Sequence, residues 1–174
     1  LFAVRRFLKT AGQDARVDEA RVEEATFLEA RLLETLSGGM EKTLLDSAAA
    51  VYIQLAESSA AWGPPAMLRL AKRPGSDPRE RYGWAARHLR IYPEAPSAEE
   101  CLLVAAELAV SLDSLQKGEE YLRRLIEDFP GGPFQDEALL RLGVIASVTG
   151  RSSKADSLFT RYLERSPAGA FSGE

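Results

Sequence analysis

The chain has 174 residues, 45% of them apolar and 28% charged, with a formal net charge of −4. That length supports a sizeable core, and no stretch reaches the roughly 18–20 uninterrupted apolar residues that a membrane-spanning helix needs. One cysteine, Cys101, excludes an internal disulfide and any multi-cysteine metal site, and the mild acidity disfavours nucleic acid as a partner.

The opening, Leu1-Phe2-Ala3-Val4-Arg5-Arg6-Phe7-Leu8-Lys9, carries its cations after the first apolar residues, the reverse of a secretory signal. Two readings stand. It is a short basic amphipathic helix, or the end of a longer segment whose Arg5 and Arg6 anchor at a membrane interface. Residues 14–36 then give the longest helical pattern, beginning at Asp14, carrying Val17, Ala20, Phe27, Leu28, Leu32 and Leu36, and stopped by Gly38 and Gly39. Its apolar positions keep no clean heptad. It is therefore expected to pack on the next helix, residues 41–60, through Leu44, Leu45, Ala48, Val51, Tyr52 and Leu55, rather than to form a coiled coil.

From residue 61 onward the pattern becomes periodic, with Pro93, Pro130 and Pro167 each separated by 37 residues. Setting 93–129 over 130–166 gives nine identities in 37 positions, among them Pro96/Pro133, Glu100/Glu137, Leu102/Leu139, Leu103/Leu140 and Ala109/Ala146. Chance gives about two or three, so the period marks stacked helical hairpins that bury their apolar faces only against neighbours. A degenerate unit, residues 61–93, precedes two clearer ones at 94–130 and 131–167. In the first clear unit Ser97 and Glu100 read as a capping box, helix A spans 97–115, and Gly118 marks the turn. Helix B follows with an apolar stripe of Tyr121, Leu122, Leu125, Ile126 and Phe129. The next unit repeats the plan, with helices at 134–149 and 152–165 and Gly150 as the stop between them.

Leu142, Gly143, Ala155, Phe159 and Pro167 stand at the spacing of the tetratricopeptide repeat signature, and Ala105, Ala106, Gly118, Leu122 and Pro130 occupy the matching places one period earlier. The chain thus resembles the tetratricopeptide repeat (TPR) family. Its period and the run Phe129-Pro130-Gly131-Gly132-Pro133-Phe134-Gln135-Asp136-Glu137-Ala138 are similar to bacterial envelope members such as the Tol-Pal periplasmic coordinator and the outer-membrane assembly lipoprotein. The resemblance implies an all-α, TPR-like α-solenoid of helical hairpins, here preceded by an N-terminal helical pair in residues 1–60. It also implies a partner-binding groove lined by Glu100, Leu103, Glu107, Val110 and Ser111, then Glu137, Leu140, Val144, Ser147 and Val148. Such a lining, apolar with an acidic entrance, fits an apolar helix or an extended segment.

Charge is uneven along the chain. A basic patch of Arg69, Lys72, Arg73, Arg79, Arg81, Arg87 and Arg90 meets only Asp77 and Glu80, whereas eleven acids between Glu94 and Glu137 face Lys117, Arg123 and Arg124. Chemistry is nearly absent from the sequence. His88, the one histidine, neighbours Arg87 and Arg90, and reads as satisfied or solvated; Cys101 reads as a buried structural thiol. The segment Gly38-Gly39-Met40-Glu41-Lys42-Thr43 places Glu41 where a phosphate loop needs glycine. The carboxylates share helix faces with lysines and arginines, the pattern of a solvated surface rather than of a catalytic acid pair.

These features lead to the expectation of no enzyme activity, no cofactor and no metal. The expected role is an adaptor or scaffold subunit of a bacterial multiprotein assembly at or near the cell envelope, on the periplasmic side or membrane-proximal in the cytoplasm. Its partners are expected to be other proteins, with a membrane surface or membrane complex reached through the basic N-terminal half, and no nucleic acid. The alternative is a structural subunit with a self-occupied groove that docks through that basic half to a membrane-associated complex. No polar capping helix is encoded after Pro167, so either the polar side of residues 152–165 suffices or a partner covers that end.

Overall fold

Proline, glycine and short polar residues punctuate the chain into helices, and the computed structural model describes residues 1–11, 18–38 and 41–165. Among the described residues there are nine helices and no strand: α1 (Phe2–Ala11), α2 (Glu19–Leu36), α3 (Lys42–Ser58), α4 (Gly63–Lys72), α5 (Pro78–Ile91), α6 (Ala98–Ser111), α7 (Leu115–Asp128), α8 (Gln135–Val148) and α9 (Ser152–Arg165). They form two compact units, Leu1–Asp77 and Pro78–Glu174. Within each unit, every helix packs on the next in chain order, giving the expected all-α fold of stacked helical hairpins. The repeat register divides the chain at 60/61, whereas α3 and α4 pack together inside the first unit.

In the first unit α2 begins where Asp18 accepts a bond from the Ala20 backbone N–H at 3.3 Å, which satisfies one of the free donors of the first turn. The helix start expected at Asp14, together with Val17 and Gly39, lies outside the described residues. The α2–α3 pair encloses an aromatic cluster, Phe27 lying 5.5 Å from the Tyr52 ring and 4.8 Å from that of Trp62. Tyr52 is buried, and its hydroxyl donates to Glu34 at 2.9 Å, so the polar end of the ring keeps a partner. Burial first, and then the Glu34 charge, raises the phenol well above its usual range.

The second unit shows the period in its backbone. Helix α6 ends in a Schellman motif: Asp113 takes a left-handed φ of 58°, its N–H reaches the Val110 carbonyl at 3.0 Å, and Ser114 N–H reaches the Ala109 carbonyl at 2.8 Å. Helix α8 ends identically one period later, with Gly150 at φ 73°, Gly150 N–H on Ser147 O at 3.0 Å and Arg151 N–H on Ala146 O at 2.8 Å. Gly150 is the expected stop. Gly118 is not the turn of its own unit, since it lies inside α7, and helix A is shorter than expected because the chain reverses at Asp113.

The capping box expected of Ser97 and Glu100 is also replaced. Ser97 occupies the N-cap of α6, yet its hydroxyl makes no cap bond and lies 2.7 Å from Nε2 of the buried His88, tying α5 to the start of α6. The neighbouring Glu99 reaches forward instead, accepting from the Phe134 backbone N–H at 3.1 Å at the entry to α8. Helix α6 is buried on almost every side through Cys101, Leu102, Leu103, Val104, Ala105, Ala106, Leu108 and Ala109. Full burial of a side chain such as Leu102 stabilises by about 1.5–3 kcal/mol, which makes α6 the spine of this unit.

One carboxylate departs from the expected solvated pattern. Glu119 on α7 is buried and gathers Arg151 at 2.6 and 3.0 Å, Lys154 at 2.6 Å and Arg123 of its own helix. The Arg151 hydrogen bonds lead, with Lys154 and Arg123 adding to them, and hold the Glu119 carboxyl down at about 2 against the cost of its burial. This cluster clamps α7 to the start of the α9 hairpin.

Candidate functional site

The second unit carries a groove of about 560 Å³ built from three helices: Ala106, Glu107 and Val110 of α6, Leu122 of α7, and Leu140, Arg141, Val144 and Ile145 of α8. Its position follows from the repeat. Helix A residues one period apart, such as Leu103 and Leu140 or Glu107 and Val144, recur on corresponding faces of α6 and α8. A close approach seats one wall, because a Cβ on Gly118 of α7 would stand 2.7 Å from Val110 Cγ2 and 3.3 Å from the Ala106 carbonyl oxygen. Only glycine lets α7 lie that near to α6. Ala106 and Gly118 correspond to Gly143 and Ala155 one period on, and a Cβ on Gly143 would likewise overlap the Phe159 ring.

Of the ten residues expected in a groove, Glu107, Val110, Leu140 and Val144 line this one together. Val110 is 37% exposed and Val144 50%, so the apolar wall stands open to solvent. Val148, 69% exposed, continues that side of α8 towards its C-terminal end. Leu103 is buried in the core instead, and Ser111 bonds back to the Leu108 carbonyl at 2.7 Å. Glu100, Glu137 and Ser147 stand outside the lining, although Glu137 is joined to it through Arg141.

Arg141 is the feature that sequence reading passed over. Its guanidinium bridges Glu107 across the groove at 2.7 Å and Glu137 on its own helix at 2.6 Å. The acidic entrance is thereby partly neutralised: two carboxylates share one guanidinium, leaving one net negative charge on an otherwise apolar cleft. The i,i+4 spacing of Glu137 and Arg141 was a visible signal of half this arrangement, whereas the partner on α6 needed the fold. Leu122 was legible in the sequence as part of the helix B apolar stripe rather than as groove floor.

The basic residues are divided between the units. Arg69, Lys72 and Arg73 belong to the first unit, where Arg73 pairs with Asp46 and Arg69 lies 3.8 Å from Glu34. Arg79, Arg81, Arg87 and Arg90 belong to α5 of the second, and the Arg87 guanidinium lies 5.4 Å from the centre of the Trp84 ring. Among the described residues no group of three His, Cys, Asp or Glu side chains is placed to hold a metal ion, and no helix is long and apolar enough to cross a membrane. Cys101 is buried with its thiol directed at the Ala85 carbonyl at 3.5 Å, and burial pushes it up to about 12, a protonated and unreactive state at neutral pH. No family model matches the chain, and no curated protein matches it either.

Proposed function

We propose that this protein is a non-enzymatic adaptor or scaffold subunit of the tetratricopeptide-like kind, whose α6–α8 groove receives an amphipathic helix of a partner protein. The observation that carries this reading is the open apolar wall of Val110, Leu140 and Val144 beside the Glu107–Arg141–Glu137 bridge. Apolar anchors supply affinity, and the bridge supplies a register. A helix with two or three apolar residues on one stripe and a lysine or arginine beside them complements both features. The tetratricopeptide-like reading is further supported by the recurrence of one helix-ending motif at Asp113 and Gly150, a full 37-residue period apart. The resemblance of the Phe129–Phe134 linker to bacterial envelope proteins makes an assembly at or near the envelope the proposed setting.

The test is selection of helical peptides from a display library against the full chain, followed by fluorescence anisotropy with purified variants. Selected peptides are expected to be amphipathic and basic, and Val144→Lys is expected to weaken them at least tenfold, about 1.4 kcal/mol, while circular dichroism remains unchanged. Peptides that bind the wild type and Val144→Lys equally would remove the groove from consideration.

A further inference from the structure

We propose that the outward face of α1 is a docking surface for the anionic headgroups of a lipid bilayer. Helix α1 packs on α2, and its least exposed positions are the half-buried Val4 and Leu8 and the buried Ala11, with Leu1 half-buried just before it. On the opposite side Phe2, Arg6 and Lys9 follow one another at i, i+4 and i+7, which stacks them along a single stripe. Phe2 is 82% exposed, so a whole aromatic ring stands in water beside two exposed cations. Arg5, on the flank, pairs with Glu29 of α2 at 2.6 Å, which neutralises that carboxylate.

Charge complementarity selects the partner. Every ionisable side chain on α1 is basic, so the face favours an anionic surface over a zwitterionic one. The ring then distinguishes a bilayer from a soluble polyanion. A polyanion would pair with Arg6 and Lys9 but leave Phe2 in water, whereas the headgroup boundary takes the ring into the acyl region while the cations stay among phosphates. One ring and two or three cations give weak, reversible binding that a second contact of the same protein would reinforce. This inference stands apart from the groove, because none of its residues belongs to α6–α8.

The experiment is flotation of the full chain with vesicles of phosphatidylcholine containing about 30 mol% phosphatidylserine, against vesicles of phosphatidylcholine alone. The wild type is expected to float with the anionic vesicles only, and to be released at about 0.5 M salt. Arg6→Glu with Lys9→Glu is expected to lower partitioning at least tenfold and Phe2→Ser about fivefold; both changes are on the exposed side, and circular dichroism checks that the helices persist. A Phe2→Trp variant supplies a second reading, a blue shift of its added emission on anionic vesicles. Absence of flotation, equal flotation of wild type and the charge-reversed variant, or unshifted Trp emission in the bound state would overturn the proposal. So would equal binding of wild type and Phe2→Ser to a short DNA duplex at the affinity seen for vesicles, because the face would then be a general polyanion site.

Discussion

His88 sits with its ring fully enclosed between α5 and the start of α6, and burial lowers its pKa to about 4 from an ordinary value near 6.5. The folded protein thus holds the neutral imidazole, while the unfolded chain takes up a proton as pH falls below that ordinary value. Stability tied to His88 is full above about pH 6.5 and is lost progressively down to about pH 4, with a ceiling on the order of 3 kcal/mol. Glu119 acts in a different window. Its carboxyl, held at about 2 chiefly by Arg151, contributes stability that is full above the usual carboxylate value of about 4.5 and is lost as pH falls towards 2. Its contribution is on the order of 1–2 kcal/mol, because the three cations around it are each at least a third exposed and screened by solvent. Urea unfolding at pH 7.5, 4.5 and 3 separates the two. His88→Leu is expected to flatten the change between the first pair of values and Glu119→Gln that between the second; equal slopes in wild type and variants would show that other groups set the acid sensitivity.

The helix ends show what the sequence discloses at the level of elements. Proline spacing, the apolar stripes and Gly150 were sufficient to place α6 to α9 as two hairpins of one period, because those signals act locally through backbone geometry. The turn at Asp113 escaped the same reading, since a left-handed residue is sought as glycine and the nearest glycine, Gly118, has a different task as the point where α7 touches α6. Ser97 escaped for a related reason. A capping motif is local, but its hydroxyl went to His88, a partner nine residues away that only the packing of α5 on α6 supplies. The groove followed the same division: its valines lie on a periodic face, whereas the bridge of Arg141 to Glu107 spans two helices that the sequence does not juxtapose. The Asp113 assignment carries its own test. An aspartate in the left-handed region costs more than a glycine there, so Asp113→Gly is expected to raise the stability of the protein by about 0.5–1 kcal/mol, read as a higher denaturant midpoint at unchanged slope. A lower midpoint would mean that the side chain, rather than the backbone, sustains the turn.

At the scale of the whole molecule, the two compact units pose different physical problems. The unit Pro78–Glu174 is a run of sequential helix contacts, α5 on α6, α6 on α7, α7 on α8 and α8 on α9, so its stability accumulates from nearest neighbours and its contacts close over short stretches of chain. It also contains every residue of the groove, the Glu119 clamp and both Schellman turns. A fragment of residues 78–174 is therefore expected to fold by itself, with helical circular dichroism and one cooperative denaturant transition. It should also bind the peptides selected on the full chain within about threefold of the parent affinity, a difference below 1 kcal/mol. The comparison has three informative results. A folded fragment that binds localises recognition to α6–α8, a folded fragment that does not bind moves recognition away from that groove, and an unfolded fragment means that nearest-neighbour packing among five helices does not offset the chain entropy they lose on ordering. Helix α1 lies outside this fragment, so retention of peptide binding with loss of vesicle flotation would assign the two interactions to separate units of one chain.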